Sequence, residues 1–128
     1  MKPHTWTLTL DQCGRPLTQN QAHRMHYRDV ARVRRRWHDT AAWLARRRRI
    51  PALPAITVAA YGRYGTRRSL PDPDALAPTL KAVIDGIVAA GVIPDDTSTH
   101  VRSVTYLPPV VASGQADGLV VTITEVVA

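Results

Sequence analysis

Asp72-Pro73-Asp74, Lys81, Asp85 and Asp95-Asp96 stand out by residue type and spacing. Two carboxylates separated by a single residue, just ahead of a helix, project into a shared space at its end. Hard cations such as Mg²⁺ prefer oxygen ligands, take one or two carboxylates and complete their shell with water and phosphate. Acids brought together repel one another, so such a cluster points to a cation. A cation held there would polarise a phosphodiester and lower the pKa of an attacking water. The spacing also admits plainer readings. Aspartates beside helices are common caps, and an Asp-Asp pair after Pro94 is a common turn.

The elements around these residues decide whether they can meet. A helix is predicted from Leu76 to Ala90, with Leu80, Val83, Ile84, Ile87 and Val88 as its apolar stripe. Pro78 suits its first turn, where a missing N–H costs little, and Gly91 suits a left-handed C-terminal cap. About fifteen residues at ~1.5 Å each put the far end ~22 Å from the first acid pair. Asp95 and Asp96 therefore return to Asp72 and Asp74 only if the chain doubles back after Gly91, or if a second subunit supplies them.

Elsewhere, Trp6 to Leu10 alternates with period two and reads as a strand, and Asp11 to Gln21 reads as a loop around Gly14 and Pro16. A long helix is predicted from Tyr27 to Arg48, carrying Val30, Val33, Trp37, Ala41 and Leu44 on one face. Strands follow at Ala55–Tyr64, His100–Leu107 and Leu119–Val126, the last two joined as a hairpin through 111–118. Gly65 to Pro73 is a basic loop. The order β-α-β-α-β-β predicts an α+β fold, a mixed sheet with two helices packed on one face, formed as a single domain over residues 1–128.

Charge narrows the function. The 128 residues carry 17 Lys plus Arg against 10 Asp plus Glu, a net charge of +7. Only Lys2 and Lys81 are lysines, and the arginine fork grips phosphate at two points. Ten arginines and two acids lie between Arg24 and Arg49, whereas five of the ten acids lie between Asp72 and Asp96 with Lys81 as the one base. A basic half that holds phosphates and an acidic centre that holds a metal suit a nuclease, and nucleic acid is the expected partner. GC-rich coding and a solvated surface would also raise the arginine count. One cysteine, Cys13, excludes an internal disulfide and fits a reducing cytosol. No apolar run approaches the ~18 residues of a membrane span, and Met1 to Trp6 lacks a signal peptide's apolar run. A cytoplasmic protein with no membrane partner is expected.

The stretch from Asp72 through Ala75, Lys81, Asp85 and Gly91 to Asp95-Asp96 resembles the RusA-like Holliday-junction resolvases of phage and bacteria. Their pattern is a D-x-D-N-L pair, a helix bearing K-x-x-x-D, an A-G break and a D-D ending. Pro16-Leu-Thr-Gln-Asn20, then His23-Arg24-Met25-His26 and a basic helix with Trp37, is similar to that family's opening. The resemblance runs from about Trp6 to Glu125, specific in the central motif and weak elsewhere. It implies that Asp72, Asp74 and Asp96 ligate Mg²⁺ (with Mn²⁺ able to substitute), that Asp95 shares the task, and that Lys81 sits against the scissile phosphate. It implies that Asp85 holds Lys81, an arrangement an ordinary i,i+4 pair would also give. It further implies a homodimer that cuts a four-way junction symmetrically, and a phage or prophage gene in a bacterial host. Two departures stand out: Ala75 replaces the family's asparagine, and the Asp74–Lys81 gap is longer than in the shortest members.

Arg67 and Arg68, next to the acid pair, are candidate DNA contacts, as are Arg46, Arg47, Arg48 and Arg49, together with Asn20 and Arg24. The run at 46–49 equally suits a solvated helix end, where positive charge favours the dipole. His23 and His26 lack a third soft ligand and read as DNA-facing or structural rather than as a zinc pair. Trp37 and Trp43 read as core or dimer interface, and Cys13 has no base partner. The sequence therefore predicts a Mg²⁺-dependent, structure-selective DNA endonuclease. The alternative is a DNA-binding protein of the same fold that no longer cuts.

Overall fold

Period-two runs fold as strands and periods of three to four as helices in the computed structural model, which describes residues 2–127. Nine elements follow one another: β1 (Thr5–Leu10), α1 (Gln19–Arg24), α2 (Tyr27–Arg47), β2 (Ile56–Tyr64), a 3₁₀ turn (Pro73–Leu76), α3 (Ala77–Ala89), β3 (Val101–Tyr106), β4 (Val110–Val111) and β5 (Gly118–Glu125). The fold is α+β, with three helices and a mixed five-stranded sheet. The strand order is β1-β5-β2-β3, with β4 also pairing β2.

β2 alternates buried and half-buried along its length, as a strand packed on one face must. Ile56, Val58 and Ala60 join Leu8, Leu10, Leu119, Val121 and Ile123 in one core cluster. That cluster takes Trp37, Ala41 and Ala45 from α2 and Leu80, Val83, Ile84 and Ile87 from α3. The opposite sheet face carries Thr5, Thr7, Thr9, Thr57, Thr122 and Thr124, none of them buried. α2 and α3 pack closely because Gly86 presents no side chain. A Cβ there would stand 2.2 Å from the His38 carbonyl oxygen.

Two expectations need correction. The predicted loop over Asp11–Gln21 gives way at Gln19 to the short α1. Thr18 and Gln21 cap it reciprocally, each side chain accepting from the other's backbone N–H. The predicted hairpin between the last two long strands does not form, because β2 lies between them. β3 runs parallel to β2 on one side, and β5 runs antiparallel to it on the other. After β3, the chain extends the same sheet edge through β4, parallel to Arg63 and Tyr64. It then crosses the end of β2 at Gly65, whose N–H donates to Asp117 Oδ1 at 2.8 Å. A parallel β2-α3-β3 unit results, with the N-terminus of α3 and the end of β3 at the same end of the sheet. That is the end where open parallel sheets bind ligands.

Candidate active site

The site is built where the chain leaves β2, turns through the 3₁₀ segment and enters α3. Asp72 precedes the 3₁₀ turn and its carboxylate caps nothing. Asp74 lies within that turn and is exposed. Among the described residues, neither side chain engages a hydrogen bond or ion pair. Asp74 faces the end of β3: burial, then the Asp74 charge, pushes the Tyr106 phenol above its ordinary pKa of 10.0.

The return of the chain takes place within one subunit. α3 ends at Ala89, and Gly91 adopts the left-handed φ of 84° that reverses the chain. Val92 and Ile93 are buried in the core and lead the backbone back along the helix. From Lys81 to Ala89 the helix rises ~12 Å, a distance that the five residues from Val92 to Asp96 can span in extended form. Asp96 thereby reaches Lys81, whose ammonium donates to Asp96 Oδ2 and, at 3.1 Å, to Asp85 Oδ1. Lys81, Asp96 and Tyr106 line one cleft between α3 and β3.

Asp95 is occupied otherwise. Its Oδ1 accepts from Thr97 Oγ1 at 2.6 Å and from Thr97 N at 3.0 Å. Those two bonds, the side-chain one foremost, hold its carboxyl below the ordinary 3.8. His100 Nε2 lies 3.9 Å away, with its Nδ1 donating to the Pro54 carbonyl at 2.8 Å. The turn reading of this residue describes its geometry. Among the described residues, no three His, Cys, Asp or Glu side chains converge closely enough to hold a metal.

A second feature adjoins Lys81. α1, α2 and α3 enclose an open groove of about 670 Å³, with Gln19, His23, Arg34, Arg35, Lys81 and Asp85 among its walls. The wall from α1 is fixed by a buried bond, Thr79 Oγ1 donating to the Leu17 carbonyl at 2.7 Å. That bond ties the segment before α1 to the first turn of α3.

The arginine run at 46–49 lies at the other end of α3. Arg46 donates to the Ala89 carbonyl at 3.2 Å and Arg48 to the Thr7 carbonyl at 2.8 Å. Arg47 covers the exposed ring of Trp43, with 5.3 Å to its centroid. Arg49 takes a left-handed φ of 53° as the chain leaves α2. Arg67 and Arg68 are exposed in the turn after β2, while Asn20 and Arg24 are exposed on α1. Trp37 is buried, and the Cys13 thiol lies 3.3 Å from Thr40 Oγ1.

Arg34, Arg35 and Tyr106 are the side chains that reading the sequence passed over. The arginines could have been found from the helical period. Arg34, His38, Ala41 and Ala45 recur at four, three and four residues, so Arg34 continues the seam that packs on α3 and emerges beside its first turn.

No family model matches the chain. A search of curated proteins gave no match either.

Proposed function

We propose that this protein is a Mg²⁺-dependent, structure-selective DNA endonuclease that resolves Holliday junctions by paired, symmetric cleavage, as a homodimer. The observation that carries this reading is the reversal at Gly91. Through it Asp96 meets Lys81 in the cleft that Tyr106 also lines, with the Asp74 charge acting on that phenol, beside a groove lined in part by arginine. Carboxylates, an ammonium group and guanidinium groups around the first turns of α3 suit phosphodiester chemistry.

By donor chemistry these carboxylates suit Mg²⁺, while among the described residues no three of them converge. Asp72, Asp74 and Asp96 offer hard oxygens, and two such carboxylates with waters and a substrate phosphate satisfy its shell. The chemistry Mg²⁺ supplies in such a site is activation of water and polarisation of the phosphodiester. The chain's own groups do the rest. Asp72 and Asp74, free of capping bonds, orient the acidic pole. Asp85 would keep the Lys81 ammonium in place if Asp96 held the metal, leaving the lysine charge available to a phosphate oxygen. Lys81→Met should then cost about 10²–10³ in cleavage rate, the usual loss for one stabiliser of developing charge.

Two observations favour the second reading, a junction-binding protein that does not cut: Lys81 sits on Asp96, and Ala75 stands where the family motif has asparagine. One experiment separates the two. A synthetic four-way junction with labelled arms is incubated with the protein and with Asp74→Asn, in Mg²⁺ and in EDTA. Paired symmetric nicks that need both Mg²⁺ and Asp74 support the nuclease. Tight binding with no product under Mg²⁺ or Mn²⁺ overturns it in favour of the binder, and Ala75→Asn becomes the variant to test for restored cutting.

A further inference from the structure

Outside the acidic cleft, the α1–α2–α3 groove carries cationic side chains, and an exposed aromatic ring stands outside its lining at the start of α2. Arg34 and Arg35 line it from α2, with His23 opposite on α1. One helical stripe beyond them stands Tyr27, 70% exposed at the first position of α2. Tyr27, Ala31, Arg34 and His38 recur at four, three and four residues, so they share one face of the helix. Tyr27 is held for contact rather than left loose. His26 stacks on its ring at 4.5 Å and 28°, and the Arg28 guanidinium lies 5.8 Å from its centroid. His26 is itself fixed, its Nδ1 accepting from Arg28 N at 3.1 Å.

A large aromatic ring left mostly in water, with His26 stacked on it and the Arg28 guanidinium over it, offers its exposed surface to a partner with a flat face. Bases offer such a face, and every base has one. In a duplex those faces are covered by neighbouring pairs, whereas an unpaired nucleotide leaves one open. The guanidinium groups of Arg34 and Arg35, about two turns along, match the phosphates of the same strand. We infer that this groove binds a DNA strand through an unpaired nucleotide, with its base stacked on Tyr27 and its phosphates on Arg34 and Arg35. This rests on, and narrows, the nuclease reading: it names a splayed single strand as the feature of branched DNA that the protein recognises. Arg32, ion-paired to Asp29 at 3.4 Å on another side of the same helix, takes no part.

Binding is measured without cleavage, in EDTA, so that failure of this inference is separable from failure of the nuclease reading. Fluorescence anisotropy follows a labelled oligothymidine, a blunt duplex and an oligouridine of equal length over a salt series. The oligothymidine should bind Tyr27→Ala about tenfold or more weakly than the unaltered protein, because one stacked base is worth about 1–3 kcal/mol. Tyr27→Phe, which keeps the ring, should restore most of that affinity, and the duplex should lose little. Arg34→Gln with Arg35→Gln should lower the slope of log affinity against log salt by about 1.4, or 0.7 for each phosphate released. Arg32→Gln, one charge removed elsewhere on α2, should leave the slope near its original value. Equal binding of oligothymidine by Tyr27→Ala and the unaltered protein overturns the stacking. Equal loss on duplex and single strand does so too. A salt slope unchanged by the Arg34/Arg35 pair overturns the phosphate track. Tighter binding of oligouridine than of oligothymidine overturns DNA as the occupant in favour of RNA.

Discussion

The Asp74 charge reaches the Tyr106 phenol, and that influence can be read without any catalysis. Burial raises the Tyr106 phenol first and the Asp74 carboxylate raises it further. A phenol whose folded pKa lies above its unfolded value adds stability below pH 10, lost as pH climbs through the raised value. Replacing Asp74 with Asn removes the second cause only. Ultraviolet titration of tyrosinate should show one phenol moving down towards 10 in that variant while a rise from burial persists. Tyr106→Phe should remove that phenol from the titration. Asp95 runs the other way. Its depressed carboxyl pKa contributes stability above about pH 3.8, lost as pH falls through the lower folded value. Thr97→Ala removes the larger of the two bonds, so its stability deficit should be full at pH 6 and vanish in strong acid. Thermal unfolding at several pH values checks this. The sequence could not separate Asp95 from Asp96, because adjacent carboxylates look alike until a turn sends one to Thr97 and the other to Lys81. The Lys81–Asp85 pair was legible, since a separation of four on a helix fixes the contact.

Elements were legible where pattern and length agreed, as in α2, α3 and β2, whose ends fall within a residue or so of expectation. α1 was missed although Thr18-Gln19-Asn20-Gln21 spells its capping box. Six residues are too few to show a period. The β3–β5 hairpin failed for another reason: a two-residue strand such as β4 has no pattern, and nothing local reveals a crossing over the end of β2. Gly91 was both legible and decisive. With nothing within 4 Å of the place a methyl group would occupy, its φ of 84° alone sets the cost of substitution. Gly91→Ala should therefore lose about 1–2 kcal/mol, roughly 4–8 °C in Tm, and loosen the return that carries Asp96. Gly86→Ala differs in kind, because the added carbon meets the His38 carbonyl at 2.2 Å and must push α2 away. Overpacking strain of about 1–3 kcal/mol there outweighs the gain of just under 1 kcal/mol from helix propensity. Calorimetry on both variants, with oligothymidine binding alongside, should show Gly86→Ala weakening the groove and Gly91→Ala sparing it.

At the scale of the whole molecule, the charge segregation legible in the sequence becomes a division of space. Arginines of α2 line the groove, acids gather at the turn into α3, and the arginine run at 46–49 serves the far end, where Arg46 and Arg48 bond to backbone carbonyls. On the proposed resolvase reading, each chain would bring one acidic cleft to a substrate with two-fold symmetry, and two clean cuts in opposed strands would need two clefts. If the resolvase reading holds, sedimentation should give a mass near twice the 14.1 kDa of the chain. The stronger prediction concerns mixed assemblies. A supercoiled plasmid that extrudes a cruciform becomes linear when both strands are cut in one encounter, and a nicked circle when one is. The unaltered protein should yield linear product. Adding Asp74→Asn in excess places most active subunits beside an inactive partner, so the product should shift to nicked circles with little loss of binding. Linear product that persists under that excess would mean one chain cuts both strands in turn, and the two-site account would give way to a single cleft that dissociates and returns.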